Sequence, residues 1–478
     1  MTPADSLPYL LTAGLVALHL TAAMLAFRAI RSARTPQGAV GWTVFLLALP
    51  YLGIPAYLFL GDFRYPGILR ARKLSELAAR VRGSACTAES PAAIEPRLRR
   101  LIRGFEAIAG RRSLSARNVC LLTDGQQAFD ALFAAIDAAQ DYILLETYIL
   151  RDDRLGMALQ QHLLDKAAAG VRICALYDPF GSRGIHRRYI ERLRAGGIQI
   201  VNFHARHPSR RIVPRQLNFR NHRKVVVIDG RLAFTGGYNI GDEYLGHDPY
   251  FGYWRDSMVR LEGSVVSQLQ LHFAEDWHWA TGDIPELIWQ TPAAAKDDMP
   301  ALILASGPTE PHEPGTLYFH HAITAARSRI WIATPYFAPD ASLLQALRLA
   351  ALRGVDVRIL MADKRDHWLV WLSAFAFMEE MRGSGVRFYR YQRGFMHQKV
   401  LLVDDMMASV GSHNLDSRSC RLNFEASALL FDQAFTQQVA QTLEQDFAGA
   451  EIYDRPLSDA PLVLRLAAPV ARLFAPIL

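Results

Sequence analysis

Two stretches of this 478-residue chain carry the same reactive groups at the same spacing. The first is His222-Arg223-Lys224-Val225-Val226-Val227-Ile228-Asp229, followed by Thr235-Gly236-Gly237-Tyr238-Asn239. The second is His397-Gln398-Lys399-Val400-Leu401-Leu402-Val403-Asp404, followed by Val410-Gly411-Ser412-His413-Asn414. In both, Lys stands two, Asp seven, Gly fourteen and Asn seventeen residues after His. Shared offsets of this kind mark an internal repeat. Imidazole can act as a nucleophile or move a proton near neutral pH. Lys adds a positive charge and the Asn amide a hydrogen-bond donor. Two such sets facing each other suit a phosphate diester. The cations and amides hold its oxygens, one imidazole attacks phosphorus and the other protonates the departing alcohol.

The elements that must present these groups can be read from the same stretches. The four residues between Lys and Asp are apolar in both copies, as in a short strand covered on both faces. His and Lys, two apart, point to the same side of that strand. Asp229 and Asp404 fall at odd spacing from Lys, and their expected role is structural, accepting backbone N–H groups of a nearby loop. A reactive imidazole needs its second nitrogen held by an acceptor. The candidates are Asp256, downstream of His222, and Glu425, downstream of His397. Lone histidines elsewhere (His204, His207, His247, His272, His278 and His312) lack such partners and read as structural.

Upstream of each motif the order helix, strand, helix, strand recurs. The first half has a helix ending near 136, a strand at 142–147, a helix at 155–168 and a strand at 171–176. The second has a helix ending at 326, a strand at 329–334, a helix at 342–352 and a strand at 355–361. This order implies an α/β layer in each half. The expected domains are 118–280 and 301–452, joined by a Pro/Ala/Asp-rich linker at 281–300. The four cysteines, Cys86, Cys120, Cys174 and Cys420, are scattered and read as free thiols. The formal charge of +7 favours an anionic partner.

The N-terminal stretch, 1–65, differs in character. Runs at 7–27 and 40–60 contain no Asp, Glu, Lys or Arg, and each is long enough to span a bilayer. No basic stretch precedes the first and a second follows it, which favours a retained anchor over a cleaved signal peptide. Arg64, Arg70, Arg72, Lys73, Arg80 and Arg82 after the second run place the main body in the cytoplasm. Arg28, Arg31 and Arg34 between the runs oppose a simple hairpin. Pro50, Gly53 and Pro55 suggest instead a broken, re-entrant second segment. A basic connector (66–117) is expected to lie near the membrane, with Arg99, Arg100 and Arg103 facing headgroups. The basic run Arg206, Arg210, Arg211, Arg215, Arg220 and Arg223 is a second candidate for headgroup contact. The apolar tail at 453–478, limited by Pro461, Pro469 and Pro476 to short helical turns, either lies in the membrane interface or packs on the body.

The two H-x-K-x4-D motifs resemble those of the phospholipase D superfamily. Within it, Asn221-His222-Arg223-Lys224, Trp254-Arg255-Asp256, Thr334-Pro335-Tyr336-Phe337, Gly411-Ser412-His413-Asn414-Leu415-Asp416 and Asn423-Phe424-Glu425 resemble the bacterial cardiolipin synthases. The resemblance implies tandem domains of mixed β-sheets flanked by helices, related by a pseudo-two-fold axis, that share one active site and need no metal or other cofactor. It implies phosphatidyl transfer between two phosphatidylglycerol molecules in the bacterial inner membrane, without nucleic acid. His222 or His397 forms phosphatidyl-histidine; the first reading has His222 attack and His397 serve as acid and base, and the near symmetry admits the reverse. Lys224, Lys399, Asn239 and Asn414 stabilise the phosphoryl oxygens, and Asp256 and Glu425 orient the imidazoles. Gly237, where the second copy has Ser412, removes one hydroxyl from the first half. A hydrolase releasing phosphatidic acid, or a transferase taking phosphatidylethanolamine as co-substrate, would use the same residues.

Overall fold

A computed structural model describes residues 3–33, 35–61, 66–83, 95–205, 219–290, 293–310 and 312–478. Cys86, Arg34, Arg64 and the basic run from Arg206 to Arg215 lie outside the described residues. The described residues divide into two compact units, one up to residue 74 and the other from residue 75 on.

In the first unit a long helix, Pro3–Ser32, is followed by Pro36–Ala48 and Pro50–Leu60. The apolar run at 40–60 is thus two helices. Pro50 disfavours helical geometry at the residue before it. Leu49 accordingly leaves the helical conformation and caps the second of the two. The break lets the short helices fold together. At Gly53 an added Cβ would stand 2.9 Å from the Leu46 Cα, so only glycine permits this approach. Leu25, Ala26, Ala29, Leu46 and Tyr57 form a small core, with Trp42 edge-on to Tyr57 at 5.2 Å. Leu10, Leu11, Leu20, Met24, Phe27, Val40, Val44 and Leu52 point outward. Among the described residues one helix, over Tyr9–Ser32, is long and apolar enough to cross a membrane.

The second unit carries the α/β fold expected from the repeat. Among the described residues, a 16-stranded sheet runs through both halves. Leu114–Leu122 and Met299–Ser306 pair antiparallel at its centre, with Leu114 opposite Ala301. Outward from this seam the first half orders its strands as Met258–Glu262, Leu232–Gly236, Val225–Ile228, Tyr142–Thr147, Arg172–Tyr177 and Gln199–Asn202. The second half mirrors this with Asn423–Leu430, Met407–Gly411, Val400–Val403, Arg329–Ala333, Asp356–Ala362 and Arg387–Tyr391. In each half the strand after the His-Lys pair is central and fully buried. It is antiparallel to the first strand of the repeat, and that strand is parallel to the next.

Two regions add to the sequence expectation. Part of the connector belongs to the body. Its helix Pro96–Ala109 buries Leu101, Ile102 and Phe105 in the core of the second half, against Tyr318, Phe319, Ile323 and Phe431. Its apolar residues recur at helical spacing, and Arg99, Arg100 and Arg103 occupy the exposed face. The following strand begins at Leu114, before the expected boundary at 118, because pairing at the central seam holds it. The tail forms a helix, Leu462–Arg472, packed on the body beside Trp368–Met381, with Ala468 and Ala475 in the second half's core and Ala471 buried.

Candidate active site

The two histidines sit just past two short ribbons that cross between the halves. Arg220–Asn221 pairs in parallel with Asn423–Phe424, with Asn221 opposite Phe424. Trp254–Arg255 pairs in parallel with Phe395–Met396, with Arg255 opposite Met396. The candidate histidine follows directly after one strand of each ribbon, His222 after Asn221 and His397 after Met396. His222 N–H donates to the Phe424 carbonyl at 2.9 Å, and His397 N–H to the Arg255 carbonyl at 2.8 Å. These registers bring His222 Nδ1 to 2.8 Å from Glu425 Oε2 and His397 Nδ1 to 2.7 Å from Asp256 Oδ2. Each imidazole is therefore oriented by a carboxylate from the opposite half. With Nδ1–H donated to the carboxylate, Nε2 carries the lone pair.

Burial holds both imidazoles in the neutral form. It pulls His222 down to about 4, with Glu425 opposing and Lys224 and Lys399 assisting. It pulls His397 to about 4 as well, with Lys399 assisting and Asp256 opposing. Burial alone would raise the Glu425 carboxyl, but His222, His413 and Lys224 outweigh it and bring it to about 2. Asp256 is likewise lowered, by Lys399 and His397 against its burial. That Lys399 acts on both His222 and His397 makes the two half-sites one electrostatic unit.

The lysines lie beneath the imidazoles. Lys224 Nζ donates to the His222 carbonyl at 2.7 Å, and Lys399 Nζ to the His397 carbonyl. Burial pushes Lys224 down to about 7 and Lys399 down to about 8. An arriving anion favours the charged form of both ammonium groups, against the effect of burial.

Asp229 and Asp404 lie away from the imidazoles. Asp229 accepts the backbone N–H groups of Gln140, Asp141 and Tyr142, at 2.7–2.9 Å. Asp404 accepts those of Arg327, Ser328 and Arg329, and Arg97 from the helix Pro96–Ala109 reaches it at 2.5 Å. Both adopt positive φ, 52° and 49°. Each clamps the turn after its motif strand to the start of the neighbouring strand.

Asn239 is engaged locally: its Oδ1 accepts from Ile149 N–H at 3.1 Å and its Nδ2 donates to the Tyr244 hydroxyl at 2.8 Å. One amide hydrogen is left for a ligand. Asn414 is also buried, and its Oδ1 has no hydrogen-bond partner among the described residues. The Gly237/Ser412 difference has a steric origin. A Cβ at Gly237 would stand 1.9 Å from Asp256 Oδ1. In the second copy the Ser412 hydroxyl accepts from Ala426 N–H at 3.0 Å and donates to its carbonyl at 3.2 Å. It braces the strand that carries Glu425.

Several residues to which the sequence assigns no role also stand at the site. Tyr148 lies edge-on to His222, ring centroids 4.9 Å apart, and its hydroxyl accepts from Arg220 at 3.3 Å. Trp254 packs on His397 at 5.2 Å. Tyr336, which follows the equivalent strand of the second half, donates its hydroxyl to Asp366, and Asp366 in turn acts on His397 and Lys399. The repeat itself points to both tyrosines, since each comes shortly after a Thr at the end of the corresponding strand. Behind His222, Arg223 binds Asp276 at 2.5 Å; behind His397, Gln398 binds Asp446 at 2.7 Å. The two acids lie on corresponding helices, Val266–Thr281 and Gln433–Ala448.

The duplication seen in the sheet also appears when the chain is compared with known proteins. A family model described as "Cardiolipin synthase, PLD-like domain" matches residues 132–277 and 319–447. The chain belongs to the cardiolipin synthase family of phospholipase D-like proteins. A model described as "Phospholipase_D-nuclease N-terminal" matches residues 21–61. Cardiolipin synthase A of Pseudomonas putida is 43% identical over 479 aligned positions, 98% of this chain and 99% of that one. Cardiolipin synthase A of Pseudomonas aeruginosa is 41% identical, over 97% of this chain and 95% of that one. Among solved structures, phosphatidylserine synthase of Haemophilus influenzae superposes with a TM-score of 0.61 at 14% identity, covering 79% of this chain and all of that one, a likeness of fold.

Proposed function

We propose that the chain transfers a phosphatidyl group from one phosphatidylglycerol to the free hydroxyl of another, releasing glycerol and forming cardiolipin. The observation that carries this reading is the crossed pairing of His222 with Glu425 and of His397 with Asp256. One neutral imidazole attacks phosphorus through Nε2 and the glycerol oxygen departs with a proton from the other. The second imidazole then takes a proton from the incoming hydroxyl, whose oxygen displaces the phosphatidyl group from the first. A diester anion seated between them favours the protonated form that the second imidazole needs. Lys224, Lys399 and the remaining amide hydrogens of Asn239 and Asn414 stabilise the phosphoryl oxygens. Asp229 and Asp404 act from a distance, by fixing the strands that bear the motifs.

The apolar N-terminal unit keeps the site at a bacterial inner membrane, with the catalytic body on the cytoplasmic side, as the arginines after residue 60 favour. There the acceptor lipid is concentrated and water, the competing nucleophile, is scarcer. The test is to incubate membranes containing the protein with labelled phosphatidylglycerol and a chelator, and to identify the products. Cardiolipin and glycerol are expected. Phosphatidic acid as the main product would make it a hydrolase, and label appearing only when phosphatidylethanolamine is added would change the second substrate.

A further inference from the structure

The helix Leu462–Arg472 is apolar on two faces, and only one is covered. Leu464, Ala468, Ala475 and Leu478 follow helical spacing and pack on the second half, and Ala471, at the same spacing, is buried. The other face bears Leu462, Val463, Leu466, Val470, Leu473 and Phe474, with Val463 and Leu473 more than three-quarters exposed (78% and 77%). A single apolar stripe is enough to hold a surface helix on the body, so a second apolar face left bare is out of the ordinary. After Asp459 the only charged side chains are Arg465 and Arg472; Arg472 is paired with Glu380, and Arg465 is exposed. The end of the segment is fixed beside the active site. Arg418 holds the Ile477 carbonyl through Nε (3.2 Å) and Nη2 (2.9 Å), and its N–H donates to Leu478 O at 2.7 Å. Arg418 also lies near enough to Tyr148, at the His222 side of the site, for each to act electrostatically on the other, and it feels the charge of Arg220.

We propose that this bare face of the C-terminal helix lies in the lipid leaflet, among the acyl chains next to the active-site entrance, with Arg465 at the anionic headgroups. The proposal rests on the phosphatidyl-transfer reading, because it sets the acyl chains of a substrate lipid beside the Arg418 side of the site. Three features favour lipid over a second copy of the chain. The face has no acidic group and one exposed arginine, which suits an anionic surface. It ends at the site that the lipid must reach. The packed face is fully occupied, so the helix is anchored without any partner protein.

The test places a photoreactive benzophenone side chain at Val463, Leu466 or Leu473 of the full-length protein, in vesicles containing labelled phosphatidylglycerol. Phe27, on the outward face of the N-terminal helix, is the positive control, and the exposed Gln437 the negative one. Lipid adducts are expected at all three helix positions and at Phe27, but not at Gln437. Adducts to a second protein chain at those positions, or no lipid adducts while Phe27 labels, would overturn the proposal. Cardiolipin formation in the same vesicles reads the enzymatic assignment separately, so either can fail alone.

Discussion

At the scale of single residues, the crossed carboxylates make specific demands. His397→Gln or His222→Gln removes one proton carrier or the nucleophile, and turnover is expected to fall by at least the ~10²–10⁴ that acid–base help contributes. Glu425→Gln should act on His222, and Asp256→Asn on His397, although each lies in the other half. A single-turnover trap of the phosphatidyl-enzyme separates them: the variant whose carboxylate serves the attacking imidazole loses intermediate formation, whereas the other slows the proton-transfer steps. The pH dependence of kcat/KM should be bell-shaped. It should fall on the acid side near 4, where the attacking imidazole protonates, and on the alkaline side as the second imidazole loses its proton, more steeply past 7–8, where Lys224 and Lys399 lose their charge. Bound substrate is an anion, so the alkaline limb of kcat should lie higher than that of kcat/KM. The same shifts act on stability. The histidines are depressed in the fold from 6.5 to about 4, so the unfolded chain binds more protons between those values. Their contribution is present above pH 6.5 and is lost as the pH falls through 4.

At the scale of elements, the small cross-half ribbons hold the site together. Gly237→Ala should drive a Cβ into the Asp256 carboxylate and, through it, move His397. Activity should drop more than tenfold while thermal unfolding shifts by no more than an overpacked core position allows, about 1–3 kcal/mol. Phe105→Ala on the helix Pro96–Ala109 should do the opposite, costing about 3–5 kcal/mol in denaturant unfolding while the imidazole geometry persists. Such elements are unevenly legible from the sequence. The strands bearing the motifs, their flanking helices and the turn-fixing aspartates follow from periodicity and offset, because those depend on neighbours in the chain. The pairing of Glu425 with His222, 203 positions away, and of Asp256 with His397, 141 away, depends on strand register between halves, which no local pattern carries. Sequence reasoning finds both acids but counts each from the histidine of its own half, where the fold pairs it with the other. The helix Pro96–Ala109 escapes it for a similar reason. Its basic face is visible in the sequence, whereas the partner of its apolar stripe lies more than two hundred residues away.

At the scale of the whole molecule, the apolar N-terminal unit and the catalytic unit divide the work. Removing residues 1–65 should leave the imidazole pairs intact but admit more water to the phosphatidyl-enzyme, raising phosphatidic acid relative to cardiolipin. An unchanged product ratio, measured with labelled phosphatidylglycerol in vesicles, would remove that argument. The duplicated sheet, continuous across its central strand pair, also means that neither half holds a complete site: each supplies a histidine and the carboxylate for the other's.

The helix Pro96–Ala109 has one more consequence, for biosynthesis. It leaves the ribosome well before the surface that receives it, since Leu101 and its partner His321 are 220 residues apart. At bacterial elongation speeds that interval is on the order of tens of seconds. Throughout it, Leu101, Ile102 and Phe105 have no native home. A nascent chain with this exposed stripe is a natural client for holding chaperones, and ribosome-bound intermediates stalled before residue 320 should be the most prone to clump.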